Sequence, residues 1–110
     1  MLEAFDDSVG RIMKSLEKEG LTENTLVILT SDNGGYLNYG KAFQNISSNG
    51  IYRGQKTDVY EGGHRVPLIV SWKGRIPPGV SAALTHSNDW LPPLLTLARV
   101  EPPATAGLDL

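Results

Sequence analysis

Two neighbouring oxygen-bearing side chains, Asp32 and Asn33, stand between a run of branched apolar residues and a glycine pair, in the order Ser31-Asp32-Asn33-Gly34-Gly35. A carboxylate and an amide carbonyl are hard donors of the kind that hold Ca²⁺ or Mg²⁺. Two donors do not complete a cage, and Asp-Asn-Gly-Gly is equally a strong turn former. The calcium loop of an EF-hand is excluded, because its alternating ligands and closing glutamate are absent. Further along, Arg53-Gly54-Gln55-Lys56 sets two cations beside a glycine, an arrangement that can hold an oxyanion or simply remain solvated. In Glu61-Gly62-Gly63-His64-Arg65 the double glycine predicts a tight backbone turn, with Glu61 and Arg65 expected to pair within the scaffold. His64 and His86 are the two histidines; neither has a partner at catalytic or ligand spacing, and both are assigned structural or surface roles. No Gly-x-Ser-x-Gly nucleophile or phosphate-cradling loop is present. Asn45-Ile46-Ser47 matches a glycosylation acceptor.

The elements that must position these groups are legible from periodicity. Phe5, Val9, Ile12, Met13 and Leu16 recur at helical steps and predict a helix from Leu2, closed by Gly20 in the left-handed conformation with Leu21 folding back on the last turn. Thr25 to Thr30 is a short branched run that predicts a strand covered on both faces, and Asp32 and Asn33 lie just beyond its carboxyl end. A helix followed by such a strand points to a mostly parallel α/β sheet, whose ligands gather at the carboxyl ends of the strands. Tyr36 to Tyr60 reads as a long loop, and loops of that length in a compact domain tend to be functional or disordered. Val66 to Trp72 predicts a second strand with Pro67 near its start. A last short helix through Leu91, Leu94, Leu95 and Leu97 is expected, capped by Ser87, Asn88 or Asp89, with Pro92 and Pro93 in its first turn. Beyond Arg99 the Pro- and Ala-rich tail shows no evident element.

The totals narrow the field. With 110 residues the chain is sized for one compact domain with its own core. A net charge of −2 gives no global pull toward nucleic acid or an anionic membrane, and no apolar run approaches the ~20 residues of a membrane span. The absence of cysteine removes disulfides, thiolate metal sites and thiol nucleophiles together. Met1 to Asp7 is acidic and does not read as a secretory signal.

Taken in order, Asp6-Asp7-Ser8-Val9-Gly10-Arg11, Asn24-Thr25-Leu26-Val27-Ile28, Thr30-Ser31-Asp32-Asn33-Gly34-Gly35, Arg53-Gly54-Gln55-Lys56 and Tyr60-Glu61-Gly62-Gly63-His64-Arg65-Val66-Pro67 resemble the arylsulfatase family. Each piece is weak, and their order and spacing together are strong. Leu68 to Gly74 and Asn88 to Ala98 extend the resemblance over nearly the whole chain. It implies an alkaline-phosphatase-like α/β fold, here helix, strand, long loop, strand and helix around a mostly parallel sheet, and residues 1–110 as a single partial domain from the C-terminal portion of the catalytic domain. It also implies hydrolysis of sulfate esters by a formylglycine, with Asp32 and Asn33 as two ligands of a divalent metal, Ca²⁺ before Mg²⁺, and Lys56 holding the sulfate. No catalytic nucleophile lies in the chain: the Cys/Ser-x-Pro-x-Arg segment, the amino-terminal aspartate ligands and the Lys-x-His pair all belong to sequence that precedes this region in the family. Met1 falls where the family has interior sequence, so the chain is expected to begin inside a longer protein and to lack turnover alone. The family places such a parent in the periplasm, outside the cell or in the lysosome. Gln55, Lys73 and Pro92-Pro93 depart from the family pattern without touching the implied ligands. Two alternatives stand beside this reading: a phosphodiesterase or phosphonate hydrolase of the same superfamily, and a non-catalytic interaction module. A sheet cut from its neighbours is further expected to self-associate through open edges.

Overall fold

The computed structural model describes residues 2–38 and 47–101. Asn45 and Ile46 of the glycosylation pattern, and the tail from 102 onward, lie outside the described residues. The chain divides into two units, Met1–Pro77 and Pro78–Leu110.

The first unit opens with helix α1, Leu2–Lys18. Val9, Met13 and Leu16 on its apolar face are half-buried, while Phe5 and Ile12 remain 52% and 58% exposed. Gly20 takes φ 68, and the Gly20 N–H donates to the Glu17 carbonyl at 3.1 Å while the Leu21 N–H donates to the Leu16 carbonyl at 2.9 Å. These paired bonds form the Schellman closure expected from the sequence, satisfying carbonyls that the helix leaves open. A Cβ on Gly20 would meet nothing within 4 Å, so only its backbone conformation resists substitution. Gly20→Ala is therefore expected to lower stability by about 1 kcal/mol, the cost of a left-handed non-glycine residue, read as a lower urea midpoint. An unchanged midpoint would mean that this closure contributes nothing.

A 3₁₀ turn at Thr22–Asn24 leads into strand β1, Val27–Thr30. Strand β2 is Leu68–Ser71. Both fall inside the predicted runs, trimmed by one or two residues at each end except at Thr30. Pro67 sits just outside the ladder, where its missing donor costs no bond. The two strands pair antiparallel, with Val27 opposite Ser71 and Thr30 opposite Leu68. The mostly parallel sheet expected from the sequence is thus not made by this pair. A parallel partner needs a crossover to the far end, commonly a helix, whereas the described part of this connection holds only the four-residue helix α2, Glu61–His64, and returns at the end it left. The Trp72 indole N–H donates to the Glu23 carbonyl at 2.8 Å, fixing the end of β2 to the turn before β1.

The second unit contains a 3₁₀ turn, Ser87–Trp90, running into helix α3, Leu91–Ala98, with Pro92 and Pro93 in its first turn as expected. None of the expected Ser87, Asn88 or Asp89 is the N-cap of α3, which is Trp90 without a side-chain bond; the side-chain cap belongs to the 3₁₀ turn before it and is His86. Its Nδ1 accepts from the Asn88 N–H at 3.3 Å, and the Asp89 carboxylate accepts from the His86 N–H at 2.6 Å. Arg99 closes α3 in the left-handed region at φ 57, a place usually given to glycine.

Among the described residues no apolar side chain is fully buried, so the self-contained core expected from the length does not form. Val27, Ile28 and Leu29 are half-buried and not covered on both faces, because two strands and one amphipathic helix offer too few apolar surfaces to enclose one another. Among the described residues no helix is long and apolar enough to cross a membrane.

Candidate functional site

Antiparallel pairing decides where the chemistry collects. Thr30 ends β1 opposite Leu68, which begins β2, so the segment leaving β1 and the segment entering β2 emerge at one end of the sheet. The Thr30 hydroxyl donates to the Pro67 carbonyl at 3.0 Å and holds that end together.

Three backbone segments then meet there at glycines. The Gly34 N–H donates to the Gly63 carbonyl at 2.9 Å, and the Gly62 N–H donates to the Arg53 carbonyl at 2.7 Å. Gly34, Gly62 and Gly63 are buried. A Cβ on Gly34 would run into the Gly62 carbonyl; one on Gly62 would stand 2.6 Å from the Arg53 oxygen, and one on Gly63 2.6 Å from the Gln55 oxygen. These glycines are needed for close approach, since only a residue without a side chain lets main chains touch this way. The double glycine expected to form a tight turn is the centre of α2, whose Glu61 and Arg65 pair at 3.0 Å as expected, both exposed.

Side-chain amides complete the stitching. Asn49 Oδ1 accepts from the Gly35 N–H at 2.9 Å, and its Nδ2 donates to the carbonyls of Gly35 and Gly54, each at 3.0 Å. Gln55 Oε1 accepts from the Leu37 and Asn38 N–H groups at 2.8 and 3.0 Å. Sequence reasoning assigns neither amide this role: Asn49 lies in no motif, and Gln55, although inside Arg53-Gly54-Gln55-Lys56, is read there only as a departure from the family pattern.

Within this frame the Lys56 N–H donates to the Gly35 carbonyl at 3.2 Å, so its main chain lies against the residue two positions beyond Asn33. Lys56 occupies a turn in which the Asp58 N–H donates to the Gln55 carbonyl at 2.9 Å and the Asp58 carboxylate accepts from the Gln55 N–H at 3.0 Å. Thr57, third in that turn, has φ 81, the value a type II turn gives to glycine. A branched residue there carries strain of about 1–3 kcal/mol and persists only when its surroundings over-determine it. The Lys56 ammonium stands 5.7 Å from the centre of the Tyr36 ring and meets no carboxylate at ion-pair distance among the described residues. Arg53 instead stacks on Tyr60 at 3.8 Å, and Arg65 on Tyr52 at 4.7 Å. Of the two cations in Arg53-Gly54-Gln55-Lys56, the lysine is therefore the one that the scaffold does not cover with a closely stacked ring.

Asp32 is exposed and Asn33 half-buried. The Asn33 Nδ2 donates to the Gly34 carbonyl at 2.9 Å. Its Oδ1, like the Asp32 carboxylate, accepts no hydrogen bond from the described residues, which leaves both hard oxygens open to a cation. No group of three or more His, Cys, Asp or Glu side chains gathers around them among the described residues. His64 is exposed at the end of α2.

The sulfatase family model matches residues 1–100. The chain belongs to the sulfatase family. This sulfatase chain is 41% identical to the steryl-sulfatase of Rattus norvegicus over 111 residues, covering 98% of the chain and 19% of that protein. It is 37% identical to an N-acetylgalactosamine-6-O-sulfatase of Bacteroides thetaiotaomicron, with 96% and 22% covered. It is 42% identical to the N-acetylgalactosamine-6-sulfatase of Canis lupus familiaris, with 96% and 21% covered. The sulfatase chain thus spans about one fifth of the length of the curated relatives it matches.

Proposed function

We propose that this chain supplies part of the active site of a divalent-metal sulfuric ester hydrolase. In this reading Asp32 and Asn33 give two oxygen ligands to Ca²⁺ or Mg²⁺, and Lys56 holds the sulfate. The observation that carries the reading is the bond from the Lys56 N–H to the Gly35 carbonyl, at the one sheet end where both segments emerge. It sets the lysine backbone two residues from the oxygen pair.

The open Asp32 carboxylate and Asn33 carbonyl suit a hard cation as part of a cage that other residues complete. A bound divalent ion would supply positive charge to offset the sulfate oxygens as the ester bond breaks. Lys56 would donate ammonium hydrogen bonds to the same oxygens, and that interaction grows as charge accumulates on them. The nucleophile, a formylglycine in the family, would come from outside this chain, as would the remaining ligands and any parallel strands of the sheet. Apolar side chains left open, Phe5, Ile12 and Ile69 among them, would be covered by that remainder, or by a second copy when the chain is alone. The sulfatase family match favours this reading over the phosphodiesterase and the non-catalytic module.

The 110-residue chain alone is expected to release no sulfate from an aryl sulfate. A chimera in which residues 1–100 replace the matching segment of the Bacteroides relative is expected to release sulfate from that enzyme's own substrate. Asp32→Ala in the active chimera should raise the metal concentration needed for half-maximal activity about 10- to 100-fold. Sustained turnover by the chain alone, or metal dependence untouched by Asp32→Ala, would count against the proposal.

A further inference from the structure

Lys56 extends from a turn whose own conformation is strained at Thr57. Something must hold that turn at a fixed place against the segment that carries Asp32 and Asn33, and three observations identify it. The Gln55 side chain is half-buried, and its one carbonyl oxygen accepts two consecutive backbone N–H groups, Leu37 at 2.8 Å and Asn38 at 3.0 Å. The Gln55 main chain meanwhile makes both bonds that close the lysine turn, its N–H to the Asp58 carboxylate and its carbonyl from the Asp58 N–H. The segment it grips leaves Gly35, the residue whose carbonyl receives the Lys56 N–H.

We propose that Gln55 is a positioning residue, which sets where the Lys56 ammonium stands by tying the lysine turn to the loop that follows Asp32 and Asn33. This rests on the reading of Lys56 given above. Two adjacent donors converging on one oxygen fix the distance and orientation between two loops in a way that a single bond does not. Gln55 itself touches no reacting atom; it acts through its neighbour. A glutamate would keep the acceptor oxygen and tighten both bonds by its charge, whereas alanine removes the acceptor and leaves two N–H groups unpaired.

The first test uses hydrogen exchange in the full 110-residue chain. In Gln55→Ala the Leu37 and Asn38 amides should exchange about tenfold faster than in the wild type, and in Gln55→Glu at the wild-type rate or slower. Unchanged exchange in Gln55→Ala would overturn the proposal whatever the enzymology shows. The second test is a double-mutant cycle in the active chimera. Gln55→Ala should lower kcat/KM about tenfold in the wild-type background, with Gln55→Glu restoring the loop order, and should have almost no further effect once Lys56 is alanine. Additive losses would mean that Gln55 does not act through Lys56. Failure of the underlying reading looks different: Lys56→Ala alone would leave turnover intact, which removes the proposal with it.

Discussion

Lys56→Ala in the active chimera is expected to lower kcat/KM by on the order of 10²- to 10³-fold, the loss that follows removal of one donor to an oxyanion in a preorganised site. Circular dichroism and the urea midpoint should change little, because the side chain is half-buried and its one described contact is with the Tyr36 ring. Lys56→Arg should recover only part of the loss, since a planar guanidinium presents its donors in a different geometry from an ammonium on the same stem. A Lys56→Ala chimera that retains full activity would end the assignment of sulfate to this residue.

The second large effect is on the backbone junction beneath the site. Gly62→Ala would bring a methyl to 2.6 Å from the Arg53 oxygen and 2.7 Å from the Gly54 carbonyl carbon, contacts that main chain must move to relieve. Overpacking of this kind costs about 1–3 kcal/mol, and rigid main-chain partners put Gly62 at the upper end of that range or beyond. The expected readout is a large fall in urea midpoint with loss of dispersed amide signals from Gly34, Gly54 and Gly62. Gly10→Ala is the matched control: it sits within α1 with nothing within 4 Å of a Cβ, and should raise stability by up to about 1 kcal/mol. If both glycines tolerate alanine equally, the close approach has no energetic meaning.

How far the sequence discloses this arrangement depends on the range over which each feature is decided. The helix α1 and its Gly20 closure rest on residues within five positions of one another, and periodicity with turn chemistry is enough to place them. The strands are equally local, since a branched apolar run bounded by polar residues marks each one. Strand direction is not local. It follows from how the residues between Thr30 and Leu68 return to the sheet, which no run of residues encodes by itself. The helix Glu61–His64 escaped notice because two glycines disfavour a helix, and here it is held by neighbouring backbone. His86 was passed over as a cap because Ser, Asn and Asp stand beside it and are the usual choices. The candidates Asp32, Asn33 and Lys56 come from ordered motifs, while Asn49 lies in none and Gln55, though beside Lys56 in its motif, makes bonds to Leu37 and Asn38 that spacing does not expose.

The ladder between β1 and β2 also works as a measuring rod. Both loops hang from its one end, so sliding one strand along the other by two residues, the smallest slip that keeps each side chain on its own face, would carry the lysine loop ~7 Å past the oxygen pair. That exceeds the span of a metal–oxygen bond and a sulfate edge combined. The bond from the Thr30 hydroxyl to the Pro67 carbonyl therefore does more than finish a sheet: it sets the zero from which the spacing of the proposed anion holder and the proposed cation holder is counted.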